Sequence, residues 1–224
     1  NPFQTNNEIK STNFDVLNDS DILRGTGDTG CVGFATVNAL GQNGTTGGAG
    51  GAVVTATTAT QFLDYISRPE PLIIQVSGTI SFTGMQNVAS NKTIIGINNA
   101  VINGGGGLNI GLPIDNSITT IPDNAVKNII IRNITFTGSS DDLINIQMFS
   151  HHVWVDHCDF SNASDGALDI KRGSSYITVS WNVFHDHNKT CLLGHDDSNG
   201  AQDIGNLKVT YHHNWFKGTT QRHP

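Results

Sequence analysis

The chain has 224 residues, enough for one hydrophobic core, and only 14% of them are charged while 25 are glycine. That balance, with abundant Ser, Thr and Asn, suits a β-rich extracellular protein better than a helical cytosolic one. The net charge of −7 argues against nucleic-acid binding, and no apolar run is long enough to span a membrane.

In chain order, the first distinctive segment is the glycine-rich TTGGAGGAVV (45–54), which departs from a phosphate-loop pattern and reads as a tight turn. TATQFLDYI (58–66) is amphipathic and is expected to form a short helix capping the open N-terminal end of a β-structure. PLIIQVSGTISF (71–82) and KTIIGINNAVI (92–102) read as strand pairs with Gly and Asn at the corners.

The second half repeats itself. IIIRNITF, VWVDHCDF, ITVSWNVF and VTYHHNWF end at Phe136, Phe160, Phe184 and Phe216, at intervals of 24, 24 and 32 residues, the last carrying an insertion around HDDSNGAQD. Each segment reads as a strand. A second set, LINIQ (143–147), ALDIK (167–171) and more weakly CLLGH (191–195), keeps the same interval. A repeat of this size with two or three short strands is one coil of a parallel β-helix. Like positions then stack about 4.8 Å apart, and the phenylalanines become an interior ladder. One β-helix domain over 1–224 is expected, with no linker.

Counting five residues past each phenylalanine gives Asp141, Asp165, Lys189 and Gln221; six past gives Asp142 and Arg222 in the first and last coils. Stacking therefore runs from acidic to basic along one edge. Asp169 joins from the strand after Asp165, facing out with Lys171 while Leu168 and Ile170 face in; Asp142 belongs to the preceding turn. Carboxylates converging in this way repel unless a cation binds, and an all-oxygen set suits Ca2+ better than Zn2+. The alternative is a solvated ladder of charges.

Nine histidines raise a zinc reading at His185-x-His187 and His212-His213, but neither comes with further ligands at a recognised spacing. His212 and His213 are expected on opposite faces of one strand. Cys31, Cys158 and Cys191 leave open one disulfide with a spare thiol, or three buried thiols. Asn-x-Ser/Thr triplets at Asn18, Asn43, Asn91, Asn133, Asn162 and Asn188 are weak support for secretion, and the start at Asn1 without an initiator Met or a leader-like segment reads as a mature form or a chain without its leader.

TTGGAGG (45–51), VWVDH (153–157), DGALDIKRGS (165–174), YITVSWNVFHDHNK (176–189), LLGHDD (192–197), KVTYHHNWF (208–216) and QRHP (221–224) together resemble the polysaccharide lyase family of pectate and pectin lyases. The resemblance implies a right-handed parallel β-helix and a secreted enzyme that cleaves de-esterified polygalacturonate by calcium-assisted β-elimination, as a monomer and without a nucleic-acid or membrane partner. It implies Asp142, Asp165 and Asp169 as calcium ligands, with Asp141 the fallback and Ser140 standing where some members carry a further acid. It implies Lys171 and Lys189 as substrate-binding lysines and Arg222 as the catalytic base. The family pattern continues with another arginine five residues beyond Arg222 and more coils, so further coils are expected past Pro224. The rival readings are a calcium-independent pectin lyase acting on methyl-esterified pectin, a non-catalytic polysaccharide-binding β-helix, and a hydrolase built on paired carboxylates.

Overall fold

A computed structural model of the protein describes residues 30–224. Asn18 and the first part of the expected 1–224 domain lie outside the described residues. Within them the chain winds as a right-handed parallel β-helix whose coils are built from three strips of strand. The first wall is a four-stranded parallel sheet of Gly84–Asn87, Gly106–Ile110, Ile144–Ile146 and Leu168–Ile170. The second wall stacks Lys127–Arg132, His151–Asp156, Ser175–Ser180 and Val209–His212. The third stacks Thr135–Thr137, Asp159–Ser161, Val183–Lys189 and Trp215–Gln221.

Each of the four repeated segments, read from sequence as one strand, is two strands meeting at a bend. Asn133, His157, Trp181 and His213 sit there with φ between 49° and 57°. A single left-handed residue turns the chain sharply, a conformation Asn accepts readily and Trp only under strain. Earlier coils lack this break: Leu72–Ser81 and Lys92–Asn103 run continuously through both walls, bulging near Gly78 and at Asn98 and Asn99. The weak strand expected at CLLGH reduces to one bridge, Ile170 to Leu193. Its Leu192 N–H is taken by the Asp169 carboxylate at 3.0 Å, and Gly194 turns away with φ 89°.

The interior is the expected ladder. Phe136, Phe160, Phe184 and Phe216 stack with centroid separations of 5.3, 5.0 and 4.9 Å and ring planes within 9°. Each buried ring contributes about 1.5–3 kcal/mol through lost apolar surface, and each stacked pair adds roughly 0.5–1.5 kcal/mol. At the N-terminal end the helix Ala59–Ser67 starts on Thr58, whose hydroxyl accepts the Gln61 N–H, and buries Phe62 and Ile66 over the first coils. It covers the open edge, as expected. The glycine-rich turn is also structural: Asn128 Oδ1 accepts the N–H groups of Thr46 and Gly47 at 2.7 and 2.8 Å. Gly48 lies so close to the Leu72 carbonyl that no Cβ fits.

One expectation about side chains is corrected. His212 and His213 do not face apart, because the bend at His213 swings its ring round until the two Nδ1 atoms are 2.9 Å apart. Three asparagines of the triplets, Asn91, Asn133 and Asn162, hold left-handed bends; Asn133 Nδ2 also donates to the Gly96 carbonyl at 2.7 Å. Of the cysteines, Cys158 and Cys191 are buried thiols, and burial pushes Cys158 up to about 12. Among the described residues no helix is long and apolar enough to cross a membrane.

Candidate active site

The parallel register delivers the predicted edge. Lys189 pairs with Gln221 where the third wall ends, Gly166 bridges to Lys189, and Asp165 N–H donates to the Asp141 carbonyl. Successive coils therefore present Asp141 and Asp142, then Asp165, then Lys189, then Arg222 at one corner, where the chain turns into the first wall. Asp169 and Lys171 reach the same corner from and just beyond the strand Leu168–Ile170, whose Leu168 and Ile170 are fully buried in the core. Asp142 lies on the turn before Ile144–Ile146, as expected.

These charges interlock. Asp165 Oδ1 lies 2.9 Å from Lys189 Nζ and 3.4 Å from Arg222 Nη1. The same Arg222 nitrogen is 3.3 Å from Asp169 Oδ2. Lys171 Nζ sits between Asp142 Oδ2 at 3.2 Å and Asp169 Oδ2 at 3.5 Å. Asp142 Oδ1 accepts the Gly166 N–H at 2.7 Å. A Cβ on Gly166 would lie 2.8 Å from Asp142 Oδ1 and closer still to Asp169 Oδ1, so only glycine lets these two carboxylates converge.

Burial separates the three acids. Asp142 is 4% and Asp169 1% exposed, so the outward-facing Asp169 is nonetheless covered. Burial raises both carboxyls above the ordinary range, and for Asp169, helped by neighbouring Asp142, it does so to about 6. Asp165 is held lower by the hydrogen bond from Lys189. Two desolvated acids that resist sharing charge fit a bound divalent cation. Carboxylate oxygens of Asp141, Asp142 and Asp165 lie within 4.8 Å of one another. The exposed Asp141 thus joins the grouping, and Asp169 adjoins it through Asp142, engaged with Lys171, Arg222 and Leu192. An open cavity of about 430 Å3 adjoins the acids, with Asn145, Met85 and Ile114 on its other sides.

Sequence reasoning missed two supports. His187, set aside in the sequence as a zinc ligand and given no other role, is 7% exposed and works on Asp165. Its Nδ1 accepts the Ala163 N–H at 3.3 Å, so its Nε2–H donates to the Asp165 carbonyl at 2.7 Å. The 24-residue alignment of Ala163 with His187 was the available signal. The second is the backbone of Arg222, which has φ 61° and is clamped by Thr190, whose one hydroxyl proton is shared between the carbonyls of Gln221 and Arg222 at 2.7 and 2.8 Å. A non-glycine residue held in that region stores strain.

The pectate lyase family model matches residues 17–224. The chain belongs to the pectate lyase family. Among curated proteins this family member is 43% identical over 208 residues to the pectate trisaccharide-lyase of Thermotoga maritima, covering 86% of the chain and 53% of that protein. It is 37% identical over 213 residues to pectate lyase A of Aspergillus niger, covering 90% of the chain and 60% of the relative. The chain thus spans about half the length of the curated relatives it matches. Among solved structures it resembles a pectate lyase from Bacillus sp. N165 in complex with trigalacturonate. There the TM-score is 0.70 at 32% identity, with 85% of this chain and 62% of that one covered.

Proposed function

We propose that the protein is a secreted pectate lyase that cleaves de-esterified homogalacturonan by β-elimination with calcium as cofactor. The observation that carries this reading is Arg222 bridging Asp165 and Asp169, with Lys189 on the far side of Asp165. In a member of the pectate lyase family this arrangement supports reading a base, a carboxylate clamp and a cation site into one corner. The solved relative's complex with trigalacturonate supports the substrate class.

When bound at Asp142, Asp165 and Asp169, with Asp141 alongside, calcium supplies positive charge that neutralises the uronate and stabilises developing negative charge next to it. The protein's own residues do the rest. Lys189 and Lys171 hold uronate carboxylates, and their ammonium groups make the C5 proton beside the carboxylate more acidic. Arg222, in the neutral guanidine form that high pH favours, takes that proton and becomes guanidinium. The C5–H electron pair becomes the C4=C5 double bond, the C4–O bond breaks, and the leaving oxygen is protonated by solvent. His187 keeps Asp165 in place from behind. Secretion fits a low-charge chain acting on a polymer outside the cell, and the acid cluster favours pectate over methyl-esterified pectin.

The test is the ultraviolet absorbance of the conjugated, unsaturated product formed from polygalacturonate, with calcium and then with excess EGTA. Absorbance that rises with calcium and stops in EGTA is expected. Undiminished turnover in EGTA moves the assignment to the calcium-independent pectin lyase. No absorbance, with reducing ends still released, would make the protein a hydrolase.

A further inference from the structure

A row of asparagines leads up to the acid corner along the first wall. Asn87, Asn109 and Asn145 occupy one register position on successive coils, and Asp169 is next in line. Asn145 Nδ2 donates to Asn109 Oδ1 at 2.9 Å, and Asn109 Nδ2 donates to Asn87 Oδ1 at 2.7 Å. The same Asn109 nitrogen donates to the Gly111 carbonyl at 3.2 Å. A carbonyl only accepts, so it fixes which way the Asn109 amide points, and hydrogen bonding passes that direction to Asn145. The row is therefore polar: amide nitrogens face back down it, and the last amide oxygen faces the acids.

That last oxygen, Asn145 Oδ1, is buried and accepts no hydrogen bond, in a side chain on a residue only 8% exposed. Asn145 lines the cavity with Asp141, Asp142 and Asp165. The lysine there, Lys171, spends its ammonium on Asp142 and Asp169. A buried oxygen without a donor, aimed at carboxylates, is unfavourable unless a cation completes the arrangement. Asparagine oxygens are hard, neutral ligands suited to calcium.

We propose that Asn145 is a ligand of the divalent cation held at this corner, oriented for that purpose by the asparagine row. The inference rests on the calcium reading given above. A neutral oxygen adds coordination without adding to the repulsion among the acids, and the row pre-sets it so that binding costs little reorganisation.

Calorimetric titration of the chain with calcium chloride tests it, using wild type, Asn145→Leu and Asn145→Asp, with urea unfolding of each in EGTA. Wild type is expected to bind. Asn145→Leu is expected to lose about tenfold or more in affinity, as for removal of a group supporting a metal, while Asn145→Asp, which keeps an oxygen in place, binds at least as tightly as wild type. If Asn145→Leu does not fold, Asn109→Leu, which releases the amide, is expected to weaken calcium several-fold. A leucine variant that is less stable in EGTA yet binds calcium like wild type would make Asn145 a structural rung and overturn the inference alone. Failure of wild type to bind calcium would overturn the calcium reading as well.

Discussion

Gly166→Ala is the sharpest probe of the acid corner, because it adds one methyl and changes no charge. The new Cβ would stand 2.8 Å from Asp142 Oδ1 and nearer to Asp169 Oδ1, so both carboxylates must move. Gly166 is not among the positive-φ glycines, so alanine suits its backbone. Reduced unfolded-state entropy then returns about 0.4–1 kcal/mol. Against this stands the 2.7 Å hydrogen bond from Gly166 N–H to the Asp142 carboxylate, a kind of bond worth about 1.5–3 kcal/mol. The metal-free protein is therefore expected to lose only about 1–2 kcal/mol. Calcium binding is expected to suffer more. Calcium–oxygen distances span only about 2.3–2.6 Å, so a carboxylate displaced by several tenths of an ångström leaves the shell. A loss of about 1.4–3 kcal/mol, roughly ten- to a hundredfold in affinity, should follow. Calorimetry with calcium reads the affinity, and urea unfolding in EGTA reads the stability. A Gly166→Ala protein that binds calcium within about twofold of wild type would refute the convergence of Asp142 and Asp169 on a cation.

Three further perturbations test the remaining links. Phe160→Ala, at a fully buried rung stacked on both sides, is expected to cost about 3–5 kcal/mol in urea unfolding. The half-buried end rung Phe216→Ala should cost clearly less, and equal losses would contradict the ladder. Arg222→Lys keeps a charge but changes the reach and proton affinity of the group whose Nη1 meets both Asp165 and Asp169, so turnover is expected to fall at least about a hundredfold with calcium affinity little changed. Near-normal turnover would demote Arg222 to charge stabilisation. Burial, then the neighbouring His152 and Lys127, lowers His151 to about 4. Unfolded His151 takes up a proton near pH 6.5 while the folded side chain waits until about 4. Stability should therefore be flat above about pH 6.5 and fall by about 3 kcal/mol as pH drops to 4. His151→Gln removes that component, and a pH-independent difference between the two proteins would contradict it.

The coil period was legible because parallel strands in register turn a constant sequence interval into a constant spatial one. That rule alone aligned Phe136 with Phe160 and Phe184, put Asp165 between Asp141 and Lys189, and brought Arg222 to the same corner. Cys158 and Cys191 could not be settled in this way, since pairing depends on geometry between walls. The bends were also hidden: one left-handed residue per coil splits each strand, and His157 or Trp181 there carries no glycine-like mark. Because of such a bend, the His212 and His213 rings meet rather than point apart.

By itself, then, the sequence determined the solenoid, its inner ladder and which residue types share the charged edge, since those follow from spacing. Tertiary structure decided how the edge is wired. It covered Asp169 and left Asp141 open, gave His187 to the Asp165 carbonyl, and turned the Asn145 oxygen toward the acids. Those outcomes depend on rotamers, on a missing Cβ at Gly166, and on a hydrogen-bond direction fixed one coil away, where Asn109 meets the Gly111 carbonyl. No single-coil spacing records them.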